Sequence, residues 1–219
     1  MQTHFDEELA VLKEKLLTMG SYAESAVSQA VQAVTDRNDK LALQVQDNDN
    51  IMDQFEVDID ELAVQLLAMA PLATNLRLIT VAMKISHNLE RIGDEATTIS
   101  RRAIELNAEP QLKAHLDIPN MAKVALRMLK EALDAFVNKQ PEKARAIIPR
   151  DKEVDAINKQ LYRELSSFMV ENPSTISRCL NLMTISKSLE RVADHATNIA
   201  QEVVYLCEAR DIRHEAHHT

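Results

Sequence analysis

The chain has 219 residues with 34 Asp and Glu against 25 Lys and Arg, a formal net charge of −9. That balance, with no basic stripe, excludes a nucleic-acid binder, whose affinity comes from clustered cations on phosphates. Two Gly, six Pro, three Tyr, four Phe and no Trp among 46% hydrophobic residues describe long helices with few turns, and no run of roughly eighteen apolar residues could span a bilayer.

The first helix is predicted from Thr3 to Asp36, where Leu9, Leu12, Leu16, Met19, Ala23, Ala26, Ala30 and Val34 keep helical spacing through Gly20. A polar turn at Arg37-Asn38-Asp39, with Asp39 as N-cap, leads to a second helix on Leu43, Met52, Phe55, Ile59, Leu62, Leu66 and Met69, stopped by Pro71. The third begins near Ala73, carries Leu78, Ala82, Ile85, Leu89, Ile92, Ala96, Ile99 and Ala103 as a bundle seam, and ends before Pro110. Residues 109–119 hold two prolines and no periodicity, which places a boundary between residues 1–110 and 111–219. A fourth helix follows over roughly Asn120 to Val137. The fifth starts at Pro141 and should kink or restart at Pro149; the sixth, with Ser174 as N-cap, runs to about Glu208.

The second half repeats the first. Ile85–Ile99, ISHNLERIGDEATTI, returns as ISKSLERVADHATNI at Ile185–Ile199 with nine of fifteen positions identical, and at an offset of 102 Asp49 and Asp53 match Asp151 and Asp155. The expected fold is therefore all-α: six long helices in two pseudo-symmetric three-helix bundles from an internal duplication.

Each half also repeats two pairs of acids one helical turn apart. Asp49 with Asp53 and Glu90 with Asp94 stand in the first half, Asp151 with Asp155 and Glu190 with Asp194 in the second. Stacked acids repel by roughly 0.2–0.5 kcal/mol in an isolated helix, so the recurrence asks for a cation. Counted from Pro71, Asp53 lies 18 residues before and Glu90 19 after; about Pro173 the values are 18 to Asp155 and 17 to Glu190. The two pairs of each half thus reach the same height on neighbouring helices and form a four-carboxylate patch. An oxygen-only patch suits Mg²⁺, Mn²⁺, Ca²⁺ or iron, with His195 able to add a nitrogen in the second half, where Glu95 is the first-half counterpart. The competing reading is a solvated acidic face screened by Arg91, Arg191 and Lys187.

No nucleophile with a paired His and no Gly-rich phosphate loop is found, and Glu215 to His218 is the one Glu-x-x-His, so the chain reads as a non-enzyme. A metal-dependent phosphohydrolase and a purely structural scaffold are the alternatives. Cys179 and Cys207 lie far from any C-x-x-C, as free thiols in a reducing compartment would. The N-terminus lacks a basic region followed by an apolar run, and the expected location is cytoplasmic. The tail RHEAHHT is a weak metal-binding tract or a polar end.

The doubled LER[IV]xD motif, the D-x-x-x-D and E-x-x-x-D pairs and the opening FDEEL with Met19-Gly20 resemble the PhoU family over essentially the whole chain. The resemblance implies two symmetry-related three-helix bundles with metal ions (iron, manganese, magnesium or zinc) on the acidic motifs. The ligand set it implies is Asp49, Asp53, Glu90 and Asp94, then Asp151, Asp155, Glu190 and Asp194. It also implies a cytoplasmic regulator of phosphate uptake that holds the phosphate-starvation response repressed. The partners implied are the phosphate-transporter ATPase subunit and the phosphate-sensing histidine kinase, in a homodimer or higher oligomer that meets the membrane only through those partners.

Overall fold

A computed structural model describes residues 2–69, 71–112 and 116–213, and the histidines of the tail beyond residue 213 lie outside them. The described residues form eight α-helices joined by short connections: α1 (Gln2–Thr35), α2 (Asp39–Asp47), α3 (Asp49–Ala68), α4 (Ala73–Asn107), α5 (Ile118–Asn138), α6 (Pro141–Ile147), α7 (Asp151–Glu171) and α8 (Ile176–Glu208). The six expected arms are all present, and the second arm of each half is divided in two. In the second half the division is the 3-10 turn Ile148–Arg150, forced by Pro149, which has no N–H to give and crowds the preceding turn. In the first half it falls at Asn48, the counterpart of Arg150, with φ −86° and ψ −2° and no proline to announce it.

Two caps differ from expectation. Asn38, not Asp39, caps α2, its side chain accepting from the Leu41 amide at 3.1 Å. Asn172, not Ser174, opens the last arm, accepting from the Ser174 amide at 3.1 Å ahead of a 3-10 turn over Pro173–Thr175. In both places Asn is the residue whose extended backbone turns its amide oxygen back onto the new helix.

The apolar seams form one continuous core that runs through both halves, from Leu12, Leu16 and Met19 through Ile85, Leu89 and Ile92 to Ile185, Leu189 and Val192, all fully buried. At its centre α4 and α8 pack against each other, each about 50 Å long at 1.5 Å per residue. Arg77 donates to the Leu206 carbonyl, Lys84 to Glu202, and Arg191 to Glu95, while His195 Nδ1 lies 2.9 Å from Asn88 Oδ1. Partners descend along α8 as they ascend along α4, so the two are antiparallel, as a pseudo-twofold perpendicular to them would place them. The pairing also shows where the twofold fails: the counterpart of Glu95 with Arg191 would be His195 with Arg91, and His195 turns to Asn88 instead. The halves meet a second time where α1 passes α5. A Cβ on Gly20 would stand 2.6 Å from Leu133 Cδ1, so only glycine admits this approach without moving the leucine.

The connection between halves is tied down by two arginines. Arg37, in the left-handed region at φ 52°, donates to the carbonyls of Leu106, Asn107 and Glu109 at 3.3, 2.7 and 2.6 Å, which caps the open end of α4. Arg178 donates to the Pro110 carbonyl at 2.9 Å.

Candidate metal centres on the two helical hairpins

The α3–α4 and α7–α8 hairpins carry the paired acids at matching heights because each arm leaves its turn at the same distance from the motif. Asp49 and Asp151 are the first residues of α3 and α7, so the break in each second arm puts a carboxylate at a helix start. The glutamates sit deeper than a solvated face allows: the Glu90 and Glu190 side chains are only 12% and 13% exposed.

In the first half the structure balances these charges internally. Arg91 donates to Asp94 at 2.9 Å and its Nε stands 3.3 Å from Glu90, and Thr97 Oγ1 donates to Asp49 Oδ1 at 3.0 Å. Burial raises the Asp49 carboxyl above its ordinary range, opposed by the Thr97 hydrogen bond and helped by Asp94 and Asp53. Burial, then Asp94, raise Glu90 as well. Asp49 and Asp94 open onto a shallow depression of about 470 Å³ at the seam with α8, where Arg101, Arg191 and His195 also stand.

The second half is less satisfied. Lys187 pairs with Glu190, and Lys159 reaches Asp155 at 3.7 Å. The hydrogen bond equivalent to Thr97 with Asp49 is not made: Thr197 Oγ1 and Asp151 Oδ1 are each buried without a partner. Burial raises the Asp151 carboxyl, with Asp155 and Glu190 adding to it. Asp194 is raised to about 6, first by burial, then by Asp151 and Glu190, although solvent still reaches its side chain. Asp151 and Asp194, raised by burial and by their acidic neighbours, form with Asp155 and Glu190, beside two orphaned oxygens, a donor set that fits a cation held through oxygen.

The eight predicted acids thus come together by halves as electrostatic neighbours, while their oxygens remain splayed. Among the described residues, the group of three or more His, Cys, Asp and Glu whose ligand atoms all lie within 4.8 Å of one another is Glu56, His87 and Glu90. Glu56 and His87 stand outside the paired motifs. Their signal in the sequence is His87-x-x-Glu90, which puts both side chains on one face of α4, with Glu56 one turn beyond Asp53 on the facing arm.

Asp194 gives a pH test. A carboxyl raised from 3.8 to about 6 on folding disfavours the folded state once it is ionised; the cost is absent below about pH 4, grows through pH 6 and is complete above it. Asp194→Asn should therefore stabilise chelator-treated protein above pH 6 and leave it unchanged near pH 4. After solvent screening the gain is on the order of 1 kcal/mol, about 2–4 °C in melting temperature. Thermal melts from pH 4 to 8 measure it, and a gain that grows toward acid would contradict the assignment.

Comparison with known proteins gives a consistent answer. The family model described as the PhoU domain matches residues 16–103 and again 118–203, one match per half. The chain is 41% identical over 96% of its length, and 88% of the relative's, to a Pseudomonas aeruginosa protein named phosphate-specific transport system accessory protein PhoU homolog. A Rhizobium meliloti protein of the same name is 38% identical over 92% of this chain and 86% of its own. The crystal structure of PhoU from P. aeruginosa superposes with a TM-score of 0.91 at 40% identity, covering 94% of this chain and all of that one. That of the phosphate transport system regulatory protein PhoU from Streptococcus pneumoniae gives 0.89 at 28% identity, over 94% of this chain and 98% of its own. With both halves matched and the fold shared along nearly the whole length, the chain belongs to the PhoU family.

Proposed function

We propose that this chain is a regulator of phosphate uptake that keeps the phosphate-starvation response repressed when phosphate is plentiful, by coupling the phosphate ABC transporter to its sensor histidine kinase. It acts without catalysis of its own, as a cytoplasmic homodimer that reaches the membrane through its partners. Among the described residues no helix is long and apolar enough to cross a bilayer, which fits that route. The observation that carries the reading is near-complete coverage of relatives named as accessory proteins of phosphate transport. The acidic motifs at equal heights on both hairpins are the parts that hold metal, through Asp49, Asp53, Glu90 and Asp94 in one half and Asp151, Asp155, Glu190 and Asp194 in the other. The second half has the better-fitting donor set, because Asp151 Oδ1 and Thr197 Oγ1 are left without partners. When bound, the ion, of the iron, manganese, magnesium or zinc class, neutralises the stacked carboxylates and fixes the hairpin surface that a partner meets. The division at residues 1–110 and 111–219 follows the repeat, with one hydrophobic core running through both halves.

Partner binding tests this reading. Purified chain, metal-loaded or chelator-treated, is titrated against the transporter's ATPase subunit and against the cytoplasmic part of the kinase. Saturable binding to both is expected, tighter with metal. Binding to neither would refute the coupling role.

A further inference from the structure

The two copies of the hairpin differ in charge one turn away from the paired acids. In the second half Lys187 supplies a permanent ammonium to Glu190, Asn158 is tied to the buried Ser186 at 2.6 Å, and Tyr162 takes the next position on the arm. The first-half counterparts are His87 for Lys187, Glu56 for Asn158 and Asp60 for Tyr162. A neutral neighbourhood with its own cation has become three carboxylates around an imidazole. His87 Nδ1 stands 3.1 Å from Glu56 Oε1, and Asp60 is near enough to feel both. Glu90 Oε2 is buried and makes no hydrogen bond, with Arg91 Nε 3.3 Å away and Arg91 shared with Asp94.

We propose that Glu56, His87 and Glu90 form a binding site for a single borderline divalent cation of the zinc class, present in the first half only and adjoining the paired-acid motif, with which it shares Glu90. The donor set is one imidazole nitrogen and two carboxylates, which zinc and its neighbours accept and which leaves a coordination position open to solvent. The spacing agrees: ligands at about 2.0–2.1 Å in a tetrahedral site lie about 3.3 Å apart, close to the separation of His87 from Glu56. The side chains are arranged for entry, His87 at 56% exposure leading to Glu56 at 28% and Glu90 at 12%. The imported ion does for Glu90 in this half what the Lys187 ammonium does for Glu190 in the other.

The site shares Glu90 with the motif acids, so the test changes only residues outside them. Full-length, chelator-treated protein is titrated with Zn²⁺ by calorimetry and with Co²⁺ by visible absorption. His87→Lys and Glu56→Asn install the second-half residues; His87→Gln serves should the lysine variant fail to melt cooperatively. Each is expected to weaken one Zn²⁺ equivalent by about tenfold or more and to remove the intense visible bands of four-coordinate Co²⁺. Glu190→Ala with Asp194→Ala should leave that equivalent in place, so failure here and failure of the acidic-patch reading are distinguishable. Unchanged Zn²⁺ stoichiometry and affinity in the folded His87 and Glu56 variants would overturn the proposal, with His87 and Glu56 then a simple ion pair.

Discussion

Replacing Glu190 and Asp194 by Ala together is expected to strip metal from the second half and to leave the fold intact. Two of four ligands are removed, and where loss of an outer partner alone typically costs 10–100-fold in metal affinity, the loss of two direct ligands should exceed about 100-fold. The same change relieves a destabilising cluster in the metal-free protein. Asp194 is held at about 6 by burial and by Asp151 and Glu190, and the ionised carboxylates oppose one another at neutral pH. The double variant should therefore melt no lower than the chelator-treated parent above pH 6, although Lys187 loses its partner. Metal analysis after loading and desalting reads the first effect, and thermal melts read the second. A variant that keeps its full metal content would contradict the ligand assignment in this half. One that lost metal and also melted early would show that the acids serve packing.

The difference between the two halves follows from how each carboxylate is answered. Thr97 satisfies Asp49 and Arg91 satisfies Asp94, so the first motif patch is partly quieted by its own side chains, with Glu90 Oε2 left without a hydrogen bond. At the second, the Thr197 hydroxyl and one Asp151 oxygen stay without partners, which leaves donor oxygens and charge for an ion. Removing one partner from a buried polar pair costs roughly 1–3 kcal/mol unless something replaces it, and a bound cation is such a replacement.

Much of this architecture is legible in the residues. The seam from Leu78 to Ala103 and its echo along α8 fix both central helices, since a 3.5–3.6 residue period of buried apolar side chains has no other low-energy arrangement. Pro149 announces the break in the second arm through its missing amide. The break at Asn48 is silent, because its φ and ψ are close to helical and any polar residue adopts them. The left-handed turn at Arg37 is equally silent: a long cation there reads as a surface residue, and its use as a clamp on three carbonyls depends on α4 ending beside it.

Site residues divide in the same way. The paired acids are visible because duplication repeats them, and their heights follow from helix rise alone. Glu56 and His87 escape a search for repeats because the second half spells Asn158 and Lys187 at those places; their partnership depends on the rotation of α3 against α4. The contacts of Glu95 with Arg191 and of Asn88 with His195 depend on which faces α4 and α8 turn to each other, which no spacing within one helix specifies.

The role of the whole chain is tested most directly in cells. Deleting its gene should raise starvation-gene expression at high phosphate to the level of phosphate-starved cells, because the kinase would no longer be held by the transporter's state. Returning the parent gene should restore repression. Returning the Glu190→Ala, Asp194→Ala variant at equal protein level should restore it incompletely, if metal shapes the surface that partners meet. The decisive measurement is a starvation-promoter reporter read at high phosphate in the deletion strain. Full derepression, reversed by the parent gene, is expected, and a reporter that stays silent in the deletion strain would contradict the repressor role.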